Sequence, residues 1–248
     1  MTRSVERIFG LHAVRALLMR APDRVLRLKL AAGRDDARVR ELAELAERHG
    51  LPVERANPRE FKKLLGEAVH QGVVAEITAL PPWSEDDLLS SLTSAQEPLL
   101  LALDGVQDPH NLGACLRTAD ACGALAVVVP KDRAVQLTPS VRKVAAGAAE
   151  TTPVVAVTNL ARCLALLKGA GLWVVGAEAH SDKRPEDVDL TTGTVLVLGA
   201  EGAGLRKLTR QSCDFVVRLP QLGAVESLNV SVAAGMLLYE AVRQRKNP

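Results

Sequence analysis

From residue 98 onward, short apolar segments alternate with segments of helical periodicity, and this alternation limits the possible folds more than any other feature. The apolar segments are LLLALD, ALAVVVP, WVVGA, VLVLGAE and FVVRLP, and the helical ones are 112–122, 139–148 and the closing VSVAAGMLLYEAVRQR. Strands that are apolar on both faces suit a parallel sheet covered by helices on both sides. We therefore predict an α/β fold built on a parallel sheet.

The residues before this region predict a smaller α/β unit. Helical periodicity covers 9–18, 35–50 and PREFKKLL, while VLRLKLA and VVAEI have the composition of strands. Between the two regions, PPWSEDDLLSSLTSAQEP contains prolines, serines and acids without nearby bases, which is typical of a linker. The predicted domains are therefore 1–80 and 98–248, joined by a linker over 81–97.

Composition excludes several classes of protein. No apolar run approaches the roughly 18 residues of a membrane span, and no signal peptide is evident at the start. The four cysteines show no CxxC spacing and the five histidines are scattered, so we predict buried free thiols in a reducing cytoplasm and no metal. Residues 1–80 hold 15 basic and 11 acidic residues, a net charge of +4 that permits nucleic-acid binding.

Three loops that carry polar residues follow predicted strands. They are DGVQDPHNLGACLRTAD with Asn111 and Arg117, LGAEGAGLRKL with Glu201, and LPQLGAVESLNVSVAAG with Ser227 and Asn229. In an open α/β sheet, ligands bind beyond the carboxyl ends of the strands, so these loops predict one shared site.

Simpler roles exist for three of these residues. Asn111 has the character of a helix N-cap, Arg117 could pair with Asp120 at i+3, and Glu201 could cap a loop.

Two phosphate-binding motifs are absent from the glycine-rich loop GAEGAGLR. Leu205 and Arg206 stand where a P-loop requires lysine followed by serine or threonine, and the order of glycines does not match the dinucleotide fingerprint. Nucleotide hydrolysis and nicotinamide-dependent hydride transfer are therefore disfavoured.

NLGACLRTAD, LGAEGAGL and LPQLGAVESLNVSVAAG, in this order, resemble the three signature motifs of the TrmH/SpoU RNA ribose 2'-O-methyltransferases. FGLHAVRALL and AVHQGVVAEI resemble the ends of that family's N-terminal RNA-binding domain. The resemblance implies a SPOUT-type domain with a trefoil knot, preceded by a small L30e-like α/β domain. It also implies methyl transfer from S-adenosylmethionine to a guanosine 2'-hydroxyl in the peptidyl transferase region of 23S rRNA.

The resemblance also implies which residues form the site. They are Gly199, Leu219 and Leu228 at the cofactor, and Asn111, Arg117, Glu201, Ser227 and Asn229 in catalysis. Because arginine stays protonated in proteins, we expect Arg117 to stabilise the developing alkoxide, while an RNA phosphate or Glu201 takes the proton. Asn111, Ser227 and Asn229 would orient these groups and the substrate.

Expected partners are 23S rRNA and a second copy of the chain. The bases near the start (Arg3, Arg7, Arg15, Arg20, Arg24, Arg27 and Lys29) would contact RNA, and the small and apolar residues of the final helix would form a homodimer. Two alternatives are methylation of another rRNA or tRNA nucleotide, and a non-catalytic RNA-binding dimer.

Overall fold

A computed structural model describes residues 5–66, 68–78, 82–225 and 227–246. The chain divides into two compact units, one comprising residues up to 81 together with 146–151, and the other comprising 82–145 and 152–248. No helix in the described ranges is long and apolar enough to cross a bilayer.

Among its described residues, the first unit has a four-stranded sheet and three α-helices. Its strands are β1 (Val5–Phe9), β2 (Val25–Ala31), β3 (Val53–Ala56) and β4 (Val73–Thr78), and its helices are α1 (Leu11–Arg20), α2 (Ala37–Arg48) and α3 (Pro58–Leu65). The strand order is β1-β4-β2-β3, with β4 antiparallel to both of its neighbours and β3 parallel to β2. Apolar residues of α1 and α2 pack on the sheet in one core, and a smaller cluster surrounds Phe61 of α3.

The second unit contains a six-stranded sheet. Its strands are β5 (Leu99–Asp104), β6 (Ala126–Pro130), β7 (Val154–Val157), β8 (Trp173–Ala177), β9 (Thr194–Gly199) and β10 (Phe215–Val217). Its helices are α4 (Glu85–Leu92), α5 (Pro109–Ala121), α6 (Pro139–Ala145), α7 (Leu160–Gly169), α8 (Lys207–Ser212) and α9 (Val230–Lys246). The order is β10-β8-β9-β5-β6-β7 and every pairing is parallel, which confirms the predicted parallel sheet.

The central strands of this sheet are buried completely. All six residues of β5 are buried, as are the five of β6, because helices cover both faces. Since all strands run in one direction, the loops after β5, β6, β8, β9 and β10 emerge at the same edge of the sheet. The three loops that the sequence singled out are among them.

The linker predicted over 81–97 was wrong for residues 82–97, which belong to the second unit. Residues 85–92 form α4, which begins with a capping box between Ser84 and Asp87. The three acids at 85–87 lie in the first turn, where the helix dipole favours negative charge. Leu88 is fully buried in the core of the second unit, so the segment belongs to that unit. Pro81 lies outside the described residues.

Other predicted helices have boundaries that differ by a few residues, and β1, β3, β7, α7 and α8 were not predicted. The helix predicted over 9–18 covers 11–20, because residues 5–9 form the edge strand β1, in which only Ile8 is buried. An edge strand with so few buried residues has little apolar alternation from which to predict it.

Truncation of Leu88 tests the placement of α4. Leu88→Ala should lower the free energy of unfolding by about 2–5 kcal/mol, the usual cost of removing a buried leucine side chain. Ser90→Ala, at an exposed position of the same helix, is the control and should change it by less than about 0.5 kcal/mol. Urea unfolding measures both. Equal midpoints for Leu88→Ala and the wild type would show that this helix does not contribute to the core.

Candidate functional site

Residues from all three loops meet in one hydrogen-bonded cluster. Asn111 Nδ2 donates to Glu201 Oε1 at 3.2 Å, and Asn229 Nδ2 donates to the same oxygen at 2.7 Å and to Asn111 Oδ1 at 2.9 Å. The backbone N–H of Val230, the first residue of α9, also donates to Glu201 Oε1 at 3.2 Å. One carboxylate oxygen therefore joins the loops after β5, β9 and β10.

The prediction that Asn111 caps α5 was wrong. Asp108 is the N-cap, with its side chain accepting from the N–H of His110, and Asn111 lies within the first turn. Pro109 fits the first helical position because it has no N–H to leave unpaired. The side chain of Asn111 is thereby free to bind Glu201.

Asn229 caps α9 as well as binding Glu201. Its Oδ1 accepts from the backbone N–H of Ser231 at 3.0 Å and from the hydroxyl of Ser231 at 2.6 Å. The amide thus uses its oxygen to begin a helix and its nitrogen to hold the carboxylate. The start of α9 and the orientation of Glu201 are coupled through this one side chain.

Beside the cluster lies a cavity of about 850 Å³. Its walls include Gly199, Leu219 and Leu228, which the resemblance assigned to the cofactor, together with Glu201 and Ser227. Among the described residues Ser227 makes no hydrogen bond, so it borders the cavity without joining the cluster.

Two parts of this cavity wall were not among the predicted site residues. The segment 177–180, which follows β8, and Gln221 both line the cavity. The position of 177–180 after a buried strand was the available signal, because it places the segment at the same edge as the three motifs.

The loop after β9 is held at both of its ends by Asp104. The carbonyl oxygen of Asp104 accepts from the N–H of Ala200 at 3.2 Å. Its carboxylate accepts from the N–H of Arg206 at 2.9 Å and from Arg206 Nε at 2.5 Å, with Nη2 also in contact. The carboxylate is fully buried, and a buried charge of this kind is stable only when it is paired and hydrogen-bonded.

Within that loop, residue 199 must be glycine for steric reasons. A Cβ on Gly199 would lie 2.0 Å from the carbonyl carbon of Gly204 and 2.5 Å from the N–H nitrogen of Leu205. The loop turns through Gly202 and Gly204, both at positive φ, and comes back onto β9 at this point. The cavity wall is therefore formed by closely packed backbone.

Arg117 lies apart from this cluster. It is exposed on α5 and makes no hydrogen bond or ion pair with any residue that the structure describes, Asp120 included. The i+3 ion pair that offered a structural role for Arg117 is thus absent. Asn111 and Asn229 orient Glu201 and do not contact the arginine.

All four cysteines are free thiols. Burial raises the pKa of Cys115 and Cys163 to about 12 and that of Cys213 to about 11, so these thiols stay protonated near neutral pH. Across the described ranges, no group of three or more His, Cys, Asp or Glu could hold a metal ion.

Two family models match the sequence. The SpoU rRNA methylase family covers residues 98–239, and an RNA 2'-O ribose methyltransferase substrate-binding domain covers residues 7–83. The chain is 55% identical to the 23S rRNA (guanosine-2'-O-)-methyltransferase RlmB of Pseudomonas syringae pv. tomato, over 97% of this chain and 96% of that protein. Identity to the Escherichia coli K12 protein of the same name is 47%, over 97% of this chain and 99% of that protein.

A crystal structure with the same fold contains a bound cofactor. It is the SpoU methyltransferase AviRb from Streptomyces viridochromogenes in complex with AdoMet, with a TM-score of 0.76 and 27% identity over 98% of this chain and 92% of that chain. Three observations support the same assignment: the family match, the identities over almost the whole length, and the hydrogen bonds that join the three motifs. The chain belongs to the SpoU rRNA methylase family.

Proposed function

We propose that this protein transfers a methyl group from S-adenosylmethionine to the ribose 2'-hydroxyl of a guanosine in 23S rRNA. The observation that carries the proposal is the Asn111–Glu201–Asn229 cluster at the rim of an 850 Å³ cavity. Relatives that are 47–56% identical over nearly the full chain are named for this reaction. A relative named as a tRNA-modifying enzyme is 30% identical over only 65% of the chain, which favours rRNA as the substrate.

The cavity fits S-adenosylmethionine in its chemistry. Leu219 and Leu228 offer apolar contact for an adenine ring, and the backbone that turns closely around Gly199 offers N–H and C=O groups. The cofactor carries no phosphate, and the glycine-rich loop accordingly lacks the lysine of a P-loop. When bound, S-adenosylmethionine supplies an electrophilic methyl group.

The residues of the cluster position the acceptor hydroxyl. Glu201 uses Oε1 for three hydrogen bonds, whereas its Oε2 accepts none from the described residues. Oε2 is therefore available to accept a hydrogen bond from a ribose 2'-hydroxyl and to take its proton. Because the two asparagines and the start of α9 fix the carboxylate, little reorganisation is needed when the substrate binds.

Arg117 is proposed to stabilise the negative charge that develops on the 2'-oxygen. Its guanidinium has no acidic partner in the described chain, so it is free to bind a substrate group. As a permanent cation with several donors, arginine suits an electrostatic role better than that of a base.

We also propose that the protein is a homodimer in the cytoplasm. Along α9, Val232, Met236 and Tyr239 are 52%, 39% and 65% exposed and lie at i, i+4 and i+7, on one face of the helix. An exposed apolar stripe on a helix that begins at the site is typical of a protein–protein interface. Thiols that are all unpaired are consistent with a reducing compartment.

The activity is tested by incubating purified protein with S-adenosylmethionine and unmodified 23S rRNA and mapping ribose methylation by nucleotide. We expect methylation of one guanosine.

Arg117→Ala should lower turnover by about 100-fold or more, as does removal of an oxyanion donor in other enzymes, and should leave cofactor affinity unchanged.

Lys246→Ala is the control for charge, because Lys246 is an exposed cation at the far end of α9. Absence of methyl transfer by the wild type would refute the activity. Wild-type turnover by Arg117→Ala would refute only the role of the arginine.

Assembly is tested by light scattering, where we expect twice the chain mass of 26.4 kDa. Tyr239→Glu should shift the protein toward monomer by placing a charge in the apolar stripe. Val69→Glu, at a position that is also 65% exposed but lies in the first unit, should leave the mass unchanged. A wild type that is monomeric and fully active would contradict the dimer.

A further inference from the structure

The loop after β6, residues 131–138, carries two cations and lies beside the site. The N–H of Val135 donates to the carbonyl of Val106 at 2.9 Å, in the loop that leads to Asn111. We propose that Lys131 and Arg133 bind backbone phosphates of the RNA strand next to the nucleotide being methylated. This inference rests on the proposed function, because it concerns how that substrate is held.

Sheet order places this loop within reach of the same RNA strand. β9, β5 and β6 are consecutive, so the loops that carry Glu201, Asn111 and Arg133 emerge side by side. Neighbouring strands lie ~4.8 Å apart, which puts the β6 loop roughly 10 Å from the Glu201 loop along the edge. When the ribose of one RNA nucleotide lies at the Asn111–Glu201–Asn229 cluster, a neighbouring phosphate of that RNA strand can lie over the loop after β6.

The conformation of this loop is well defined. Gln136 Nε2 donates to the carbonyls of Pro130 at 2.9 Å and Ala134 at 3.2 Å, from inside the loop. Arg133 adopts φ = 56°, a left-handed conformation that is uncommon outside glycine, asparagine and aspartate. Conformations of this kind persist where the surrounding structure enforces them, and they are frequent at ligand-binding sites.

The two cations have no acidic partner, unlike several cations of the first unit. Lys131 and Arg133 are exposed and form no ion pair with any described residue, and Asp132 between them is exposed too. Phosphates of the substrate would supply the missing counter-charge.

In the first unit, by contrast, the bases on the sheet face away from α1 and α2 have acidic partners. Four cross-strand contacts neutralise its bases: Arg7 to Glu76 at 3.6 Å, Arg27 to Glu76 at 3.1 Å and to Glu54 at 3.2 Å, and Lys29 to Glu54 at 2.6 Å. Arg15 pairs with Glu41 at 2.6 Å and Arg24 lies 3.7 Å from Glu150. These bases, which the sequence suggested for RNA contact, are thus largely paired with acids, and Arg3 lies outside the described residues.

The test is the salt dependence of binding to in-vitro-transcribed 23S rRNA. The variant combines Lys131→Gln with Arg133→Asn, since asparagine tolerates the left-handed conformation of residue 133. Each lost phosphate contact should make the slope of log K against log salt shallower by about 0.7. Between 50 and 200 mM salt the wild type should therefore lose about sevenfold more affinity than the variant.

Lys246→Gln removes a charge from the opposite edge of the unit and should keep the wild-type slope. Cofactor affinity, measured by calorimetry, should be the same in all three proteins, which shows that each is folded. Equal slopes for the double variant and the wild type would overturn the inference. Failure of the proposed function would be seen separately, as absence of methyl transfer by the wild type.

Discussion

The contact between Asp104 and Arg206 is the interaction on which the site depends. A fully buried carboxylate at the end of β5 binds the guanidinium and the N–H of Arg206, while the carbonyl of the same residue binds the N–H of Ala200. The loop between these two points carries Glu201 and the glycines that form the cavity wall. Its ends are therefore fixed to a central strand of the sheet, and Glu201 is held where Asn111 and Asn229 can reach it.

A parallel sheet makes this arrangement possible. Because all six strands run the same way, chain segments that are distant in sequence end at one edge. Asn111 and Glu201 are 90 residues apart and Asn111 and Asn229 are 118 apart, yet all three are hydrogen-bonded. The backbone N–H of Val230, the first residue of α9, donates a hydrogen bond to the same oxygen, Glu201 Oε1. Helix capping and the anchoring of the Glu201 loop thus depend on a few shared side chains.

Much of this organisation could be predicted from the sequence. Apolar strands with helical segments between them predicted the parallel sheet, and the position of the polar loops after strands predicted that Glu201 and Asn229 share a site. One failure was local: Asn111 is a residue type favoured at an N-cap, but Asp108, which is followed by Pro109, takes that position. Leu88 in an acidic, serine-rich stretch gave no sign that it enters the core. The knotted path of the chain and the role of Arg117 stay predictions.

The dependence of the site on the contact between Asp104 and Arg206 is tested most directly by measuring how tightly Asp104→Asn binds S-adenosylmethionine. The substitution keeps the size of the side chain but removes the charge that Arg206 binds, and it turns an –NH2 group toward donors. Calorimetry should show cofactor affinity reduced by about tenfold or more, which corresponds to about 1.4 kcal/mol. Asp86→Asn, an exposed acid in α4, should bind like the wild type. Unchanged affinity in Asp104→Asn, with the protein folded, would show that the site does not depend on the contact between Asp104 and Arg206.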